Sequence, residues 1–293
     1  MSRIVAFMVC LALCTTANAD LVDISEIAWT AGDTSVSTNS SGGVSVDFNF
    51  SGTLPLAVQP ATSSDPGVAT PYIQTGVNTF DGGLVWRFAE AHINGDGPGV
   101  TANDVVTLAI DFGQPVNDLT FDLGDIDTGS DSAITGINFE NWQDIVIVKG
   151  FAPGGAGVPG TATALAGGAA SVIREDGNIY DAVGDPAITL AGIDGPAADD
   201  GNRGNVRIAF ASAISKVLID YRPGLPSGTG MSDFILGIGP AETTSQFISL
   251  HDLNFTAVPE PSSFLLIGLV GLGVGLRRRQ QIVEFIRSMW IAK

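Results

Sequence analysis

The chain reads as an all-β protein, a β-sandwich or jelly roll carried between two terminal targeting segments. Three observations predict this. Short runs of alternating apolar residues recur along the body, separated by Gly, Pro, Asn and Asp. No amphipathic helical pattern longer than about two turns interrupts them. Composition favours strand and turn formers: 37 of 293 residues are glycine and only 15% are charged.

Taken in order, residues 44–50 place Val44, Val46, Phe48 and Phe50 on one face. Residues 84–88 form a second run. Residues 105–112 put Val106, Leu108, Ile110 and Phe112 on one side, and 119–123 form a separate short strand. Further runs lie at 144–149, 171–173, 187–190, 205–210, 216–221, 234–236 and 248–255. Many short strands joined by turn residues predict two packed sheets in one domain, residues 20–256. Residues 152–168, almost all Gly, Ala, Pro and Thr, read as a flexible loop inside it, with a two-domain split as the alternative. No repeat of fixed period is present.

Residues 1–19 read as a secretory signal peptide. Arg3 supplies the positive start, 4–13 the apolar stretch, and Ala17-Asn18-Ala19 a small-x-small cleavage site. Cleavage after Ala19 makes Asp20 the first mature residue. A buried N-terminal helix and lipidation at Cys14 are the competing readings, and the bulky Leu13 disfavours lipidation. Signal peptidase and the Sec export machinery are the expected partners. Cys10 and Cys14 are the only cysteines, so the mature chain has no disulfide and depends on its core or on bound ions.

At the other end stand Val258, Pro259, Glu260 and Pro261, then an apolar run at 264–276, then Arg277, Arg278 and Arg279. As a helix that run is about 20 Å long, short for a hydrocarbon core of about 30 Å. Gly268, Gly271, Gly273 and Gly275 weaken it further. The prolines before it and the arginine cluster after it, on the expected cytoplasmic side, favour a membrane span over a core segment. The tripeptide, span and basic cluster together resemble the PEP-CTERM sorting tail of exopolysaccharide-producing Gram-negative bacteria. The resemblance implies recognition and cleavage by a membrane protease of the exosortase type. It also implies temporary anchoring in the inner membrane and delivery to the cell surface or extracellular polysaccharide matrix. The sorting segment is thus expected at 257–279, with its transmembrane helix. Such tails usually stop near the basic cluster. Here 280–293 continue, with apolar residues on one helical face and Arg287 and Lys293 on the other, as a basic amphipathic tail suited to the inner membrane surface, with non-functional extension of the reading frame as the alternative.

Charge divides the chain. Residues 20–258 carry 29 acidic and 7 basic residues, a net charge of −22, and five basic residues lie beyond. Nucleic acid is excluded as a partner, since its recognition needs a basic surface. A hydrated matrix and divalent cations suit such a surface. Twenty-four of the 29 acids are aspartate, a residue of turns and oxygen-ligand loops.

The sharpest chemical constellation is Asp125, Asp127 and Asp131, with Asp144 placed to close a site after Trp142. Alternate aspartates supply hard oxygen ligands, so calcium is the expected ion. Gly129 stands where a further acid is wanted, and a solvated hairpin turn is the competing reading. Residues 116–148 resemble ectodomains of secreted bacterial surface β-sandwich proteins. Asp194, Asp199 and Asp200 read as a solvated loop, with a cation site as the alternative. Gly155-Ala-Gly157-Val-Pro-Gly160 matches a dinucleotide fingerprint, but Pro159 and the lack of βαβ alternation argue against a cofactor. His92 and His251 lie in no hydrolase or metalloprotease motif. His251 precedes Asp252, and neighbours on a strand point to opposite faces. Trp29, Trp86 and Trp142 read as core packing, with sugar stacking as the alternative.

No catalytic or cofactor-binding residue is assigned. The expected function is that of an exported, surface-sorted, non-enzymatic protein of the envelope or polysaccharide matrix, structural, adhesive or glycan-binding. The alternative is a secreted carbohydrate-active enzyme on the same frame, using paired carboxylates.

Overall fold

The computed structural model describes residues 19–53, 61–62, 65–66, 70–74, 82–86, 105–126, 128–130, 140–165, 172–174, 186–191, 204–224 and 248–258, together with Gly273, Gly275 and 277–281. Ala19–Ala257 form one compact unit.

The first strands are β1 (Ala19–Val22), β2 (Ser35–Asn39), β3 (Ser45–Gly52), β4 (Ala61–Thr62), β5 (Asp65–Pro66), β6 (Tyr72–Ile73) and β7 (Leu84–Trp86). The middle of the chain gives β8 (Val106–Gly124), β9 (Thr128–Ser130), β10 (Glu140–Phe151), β11 (Gly157–Val158), β12 (Thr161–Ala164) and β13 (Val172–Arg174). The last are β14 (Ile188–Ala191), β15 (Val206–Phe210), β16 (Ile214–Gly224), β17 (Ile248–Leu250) and β18 (Leu253–Ala257). One 3-10 turn, Ile24–Glu26, follows β1. The described residues of the body are mostly β-strand, as the expected class requires. Among the described residues all pairings are antiparallel; sixteen strands join in one hydrogen-bonded sheet, and β4 and β5 pair separately.

The long β8 explains that continuity. Its first half lies between β3 and β16, with Phe48 opposite Ile110 and Ile219 opposite Leu108. Its second half lies between β15 and β18, with Ile208 opposite Phe121 and Asn254 opposite Thr120. The sequence separates 105–112 from 119–123, but β8 continues through 113–118, where Val116 faces Ile214 and Asn117 faces Thr256. Its inward residues change parity there, from Phe112 to Leu119, and Asp118 takes a positive φ of 53°. An irregular register at this corner lets both halves keep their apolar side on the core.

Both halves feed one apolar cluster. Val46, Phe48, Leu108, Val217 and Ile219 from one half and Phe121, Ile208, Phe210, Leu253 and Phe255 from the other belong to it. Phe112 and Phe255, from opposite halves, meet edge to face with centroids 5.4 Å apart. Burying one such side chain contributes about 1.5–3 kcal/mol. Trp86 is fully buried and packs on Phe50 at 5.5 Å, and the half-buried Trp29 packs on Phe50 at 5.8 Å. These two tryptophans are packing residues.

Residues 152–165 are not a loose loop. β11 folds back on β10, and β12 pairs with β15. At Gly150 on β10 and at Gly160 glycine is needed because the Phe210 ring lies against the backbone. A Cβ at Gly150 would come within 2.5 Å of that ring, and one at Gly160 within 2.7 Å. Of the dinucleotide-like glycines, Gly157 lies on β11, Gly155 in the turn before it and Gly160 between β11 and β12, and β12 follows them in place of a helix. The expected strand at 234–236 lies outside the described residues.

Candidate functional site

A polar groove of about 580 Å³ opens on the second half of β8. Five stretches of chain line it: β8 through Asp122, β15 through Arg207, the β17–β18 connection and β18 through His251, Asp252 and Asn254, the 3-10 turn and its cap through Ser25 and Asp23, and Gly82 before β7.

Asp122 and Arg207 are register partners on adjacent strands. Their side chains stand away from the core, since Phe121, Leu123, Val206 and Ile208 on either side are buried. The guanidinium donates two parallel bonds to the carboxylate, Nε to Oδ1 at 2.7 Å and Nη2 to Oδ2 at 2.8 Å. That hydrogen bonding, and then the Asp122 charge, raises the Arg207 pKa above its ordinary value. The fork geometry fixes a planar cation at the groove wall.

His251 and Asp252 reach the groove because the strand is broken. Leu250 pairs with Leu123 and Asn254 with Thr120, so three residues oppose two. This bulge cancels the alternation that the sequence implies for 248–255 and puts both neighbours in the same groove. The His251 N–H donates to the Asp122 carbonyl at 2.9 Å. Asp252 Oδ1 accepts from the Ile24 N–H at 3.0 Å, tying the 3-10 turn to the sheet. Asp23 caps that turn, accepting from the Ser25 N–H at 3.0 Å and its hydroxyl at 2.6 Å.

Burial pushes the His251 pKa down, against the opposing pull of the Asp122 and Asp252 charges, so the imidazole is neutral at pH 7. Its Nε2 lies 3.2 Å from Ser249 Oγ. Ser249 is fully buried on β17 and does not line the groove, so this pair presents no nucleophile there. The groove offers acceptors from Asp23, Asp122 and Asp252, donors from Arg207, and mixed groups from His251 and Asn254. Such a set is able to accept and donate hydrogen bonds to hydroxyl groups.

Of the four aspartates expected to hold calcium, Asp127 and Asp131 lie outside the described residues. Asp144 is buried on β10 and accepts the Tyr221 hydroxyl at 2.6 Å. Asp125 has a positive φ of 65°, and its N–H donates to Asn205 Oδ1 at 3.2 Å. Among the described residues no group of three or more His, Cys, Asp or Glu is placed to hold a metal ion. Glu90, His92, Asp194, Asp199 and Asp200 also lie outside them, as does the side chain of Trp142.

At the termini, Ala19 and Asp20 lie on β1, opposite Thr256 and Phe255 of β18. Val258 follows β18, and Pro259, Glu260 and Pro261 lie outside the described residues. Arg277, Arg278 and Arg279 are helical and exposed. Among the described residues no helix is long and apolar enough to cross a membrane. Of the expected span at 264–276 only Gly273 and Gly275 are described, both helical.

Residues 257–279 match the PEP-CTERM protein-sorting motif. The chain carries a PEP-CTERM tail. The motif starts at Ala257, the last residue of β18, so the sorting segment begins where the sheet ends. It implies export and exosortase-dependent sorting toward the cell surface. No curated protein matches the chain, and no solved structure matches it. The groove had no signature in the sequence: Asp122 and Arg207 are 85 residues apart, and His251 looks like a strand residue. The one available signal was the His-Asp pair inside an otherwise apolar strand.

Proposed function

We propose that this is an exported, non-enzymatic surface protein that binds neutral glycan in the groove beside Asp122 and Arg207. Signal peptidase and the Sec machinery deliver it across the inner membrane. The PEP-CTERM tail holds it there until an exosortase-type protease releases it toward the surface and its polysaccharide matrix. The two halves of the sheet, joined by β8 over one core, act as the layers of a β-sandwich.

The observation that carries this reading is the fixed polar groove on a chain with a surface-sorting tail. Each groove carboxylate has a structural partner: Ser25 for Asp23, Arg207 for Asp122 and the Ile24 N–H for Asp252. Carboxylates committed in this way orient hydroxyl groups better than they shuttle protons. The net charge of −22 over 20–258 repels polyanions and leaves neutral glycan as the favoured class. A screen of neutral and anionic oligosaccharides against residues 20–257 tests this. Saturable binding of neutral chains without cleavage supports it. Cleavage of a bound chain favours the carbohydrate-active enzyme instead.

A further inference from the structure

We propose that the groove beside Asp122 and Arg207 is the middle of a longer track, and that this track holds an internal stretch of a linear neutral glycan laid across the strands from β12 to β1. This rests on the reading of the groove as a glycan site and adds the ligand's shape and direction.

The track follows from strand register. Thr161 of β12 faces Ala209 of β15, and Ala209 faces Thr120 of β8. Thr120 in turn faces Asn254 of β18, and Asn254 faces Leu21 of β1. One row of side chains thus crosses five strands. It stands away from the core, because the residues alternating with it, among them Ile208, Phe121 and Phe255, pack inward. At about 4.8 Å per strand the row spans roughly 19 Å. Of its members only Thr120 and Asn254 line the groove, so the row continues past the groove on both sides.

Its chemistry suits an uncharged sugar chain. No member of the row carries a charge. The hydroxyls of Thr161 and Thr120 and the amide of Asn254 both donate and accept hydrogen bonds. Ala209 and Leu21 present methyl groups to the C–H faces of sugar rings. At 36% exposure, Leu21 is the one exposed large apolar side chain among the described residues. In the neighbouring row Thr163 faces Arg207 and Arg207 faces Asp122. The cation and the anion there bind each other, so that border of the track is neutral as a pair.

The ends of the row decide which part of a chain it takes. Among the described residues β12 pairs with β15 alone and β1 with β18 alone. Thr161 and Leu21, at the two ends, are both exposed. Capture of a chain terminus needs a wall across the track, whereas a row open at both ends lets the polymer run on in both directions. The row is carried on hydrogen-bonded strands, so it is in place before the ligand arrives.

The test uses the full-length protein in a detergent without a sugar headgroup. Fragments of cellulose, mannan and amylose are titrated calorimetrically, each as disaccharide, tetrasaccharide and hexasaccharide. The glycan that binds should gain about tenfold or more in affinity from disaccharide to hexasaccharide, because further rings add hydrogen bonds beyond the groove. Ala209→Gln puts a longer side chain into the row at a position that does not line the groove. It should abolish the gain and leave disaccharide affinity within about twofold of wild type. If that variant does not fold, Thr161→Val combined with Leu21→Ser, at the two exposed ends, should reduce the gain in its place. Chemical reduction of the hexasaccharide's free end should leave its affinity unchanged. Equal affinity at every length, a gain that survives the substitutions, or binding lost on reducing the free end would overturn the track and leave the groove as a site for a short glycan. No binding at any length would overturn the glycan reading itself, and the track with it.

Discussion

Arg207 grips Asp122 through two N–H···O bonds of 2.7 and 2.8 Å, across directly paired positions of β15 and β8. The guanidinium is half exposed at the groove wall, where a bridge of this kind contributes little to folding. Its placement matters more for what the groove can hold.

Arg207→Ala should therefore separate binding from stability. Loss of charged hydrogen bonds to a ligand costs about 1.5–3 kcal/mol, or tenfold and more in affinity. Stability should change by less than about 1 kcal/mol. Calorimetric titration with a bound oligosaccharide, paired with urea unfolding, reads both. A large loss of stability with affinity intact would make the pair a structural bridge only.

His251 predicts a pH dependence. Its folded pKa is lowered by burial despite Asp122 and Asp252 nearby, while the unfolded chain titrates near the ordinary value of 6.5. Between those values the unfolded state binds more protons, so falling pH favours unfolding. The stability linked to neutral His251 is complete above about pH 6.5 and is lost as pH drops from there through the folded value. Urea midpoints measured from pH 8 to pH 5 should fall less steeply in His251→Gln than in the wild type. Parallel slopes would remove His251 from the account.

Tyr221→Phe should destabilise the fold by about 1.5–3 kcal/mol, because it strips a hydroxyl from the buried Asp144 carboxylate. Tyr221 is fully buried and its ring packs in the core, so no ligand effect is expected. The urea midpoint should drop with an unchanged slope. A neutral result would mean that the remaining interactions of Asp144 satisfy it.

How far the sequence carries can be judged at particular residues. Val46, Phe48 and Phe50 alternate cleanly and fall inward on β3, because a one-sided strand must show period two. The run at 105–112 was equally plain. Its continuation through Gly113 and Pro115 was not, since turn-forming residues also serve at the corner of a bent strand. The small residues at 152–165 read as a loop because what β12 pairs with, β15, and the Phe210 ring against Gly160 lie far along the chain. The groove was hidden for the same cause: its pairs are long-range, and its histidine depends on a bulge that alternation cannot announce. The sorting tail, by contrast, is read as linear sequence, and there the expectation and the motif match coincide at 257–279.

Replacing Pro259, Glu260 and Pro261 with alanine should leave β18 and the body of the fold intact, since the sheet ends at Ala257. In a host with an exosortase, the variant should accumulate in the inner-membrane fraction while wild-type protein reaches the surface or medium. Fractionation and immunoblotting read the difference. Equal release of both would show that the tail is not what sorts this protein.

The central claim is that the groove beside Asp122 and Arg207 binds neutral glycan. Calorimetric titration of residues 20–257 with neutral oligosaccharides, wild type beside Arg207→Ala, tests it most directly. The account predicts saturable one-site heat for the wild type, a loss of about tenfold or more in the variant, and intact sugar recovered afterwards. No binding by any neutral glycan, or binding that Arg207→Ala leaves unchanged, would contradict it.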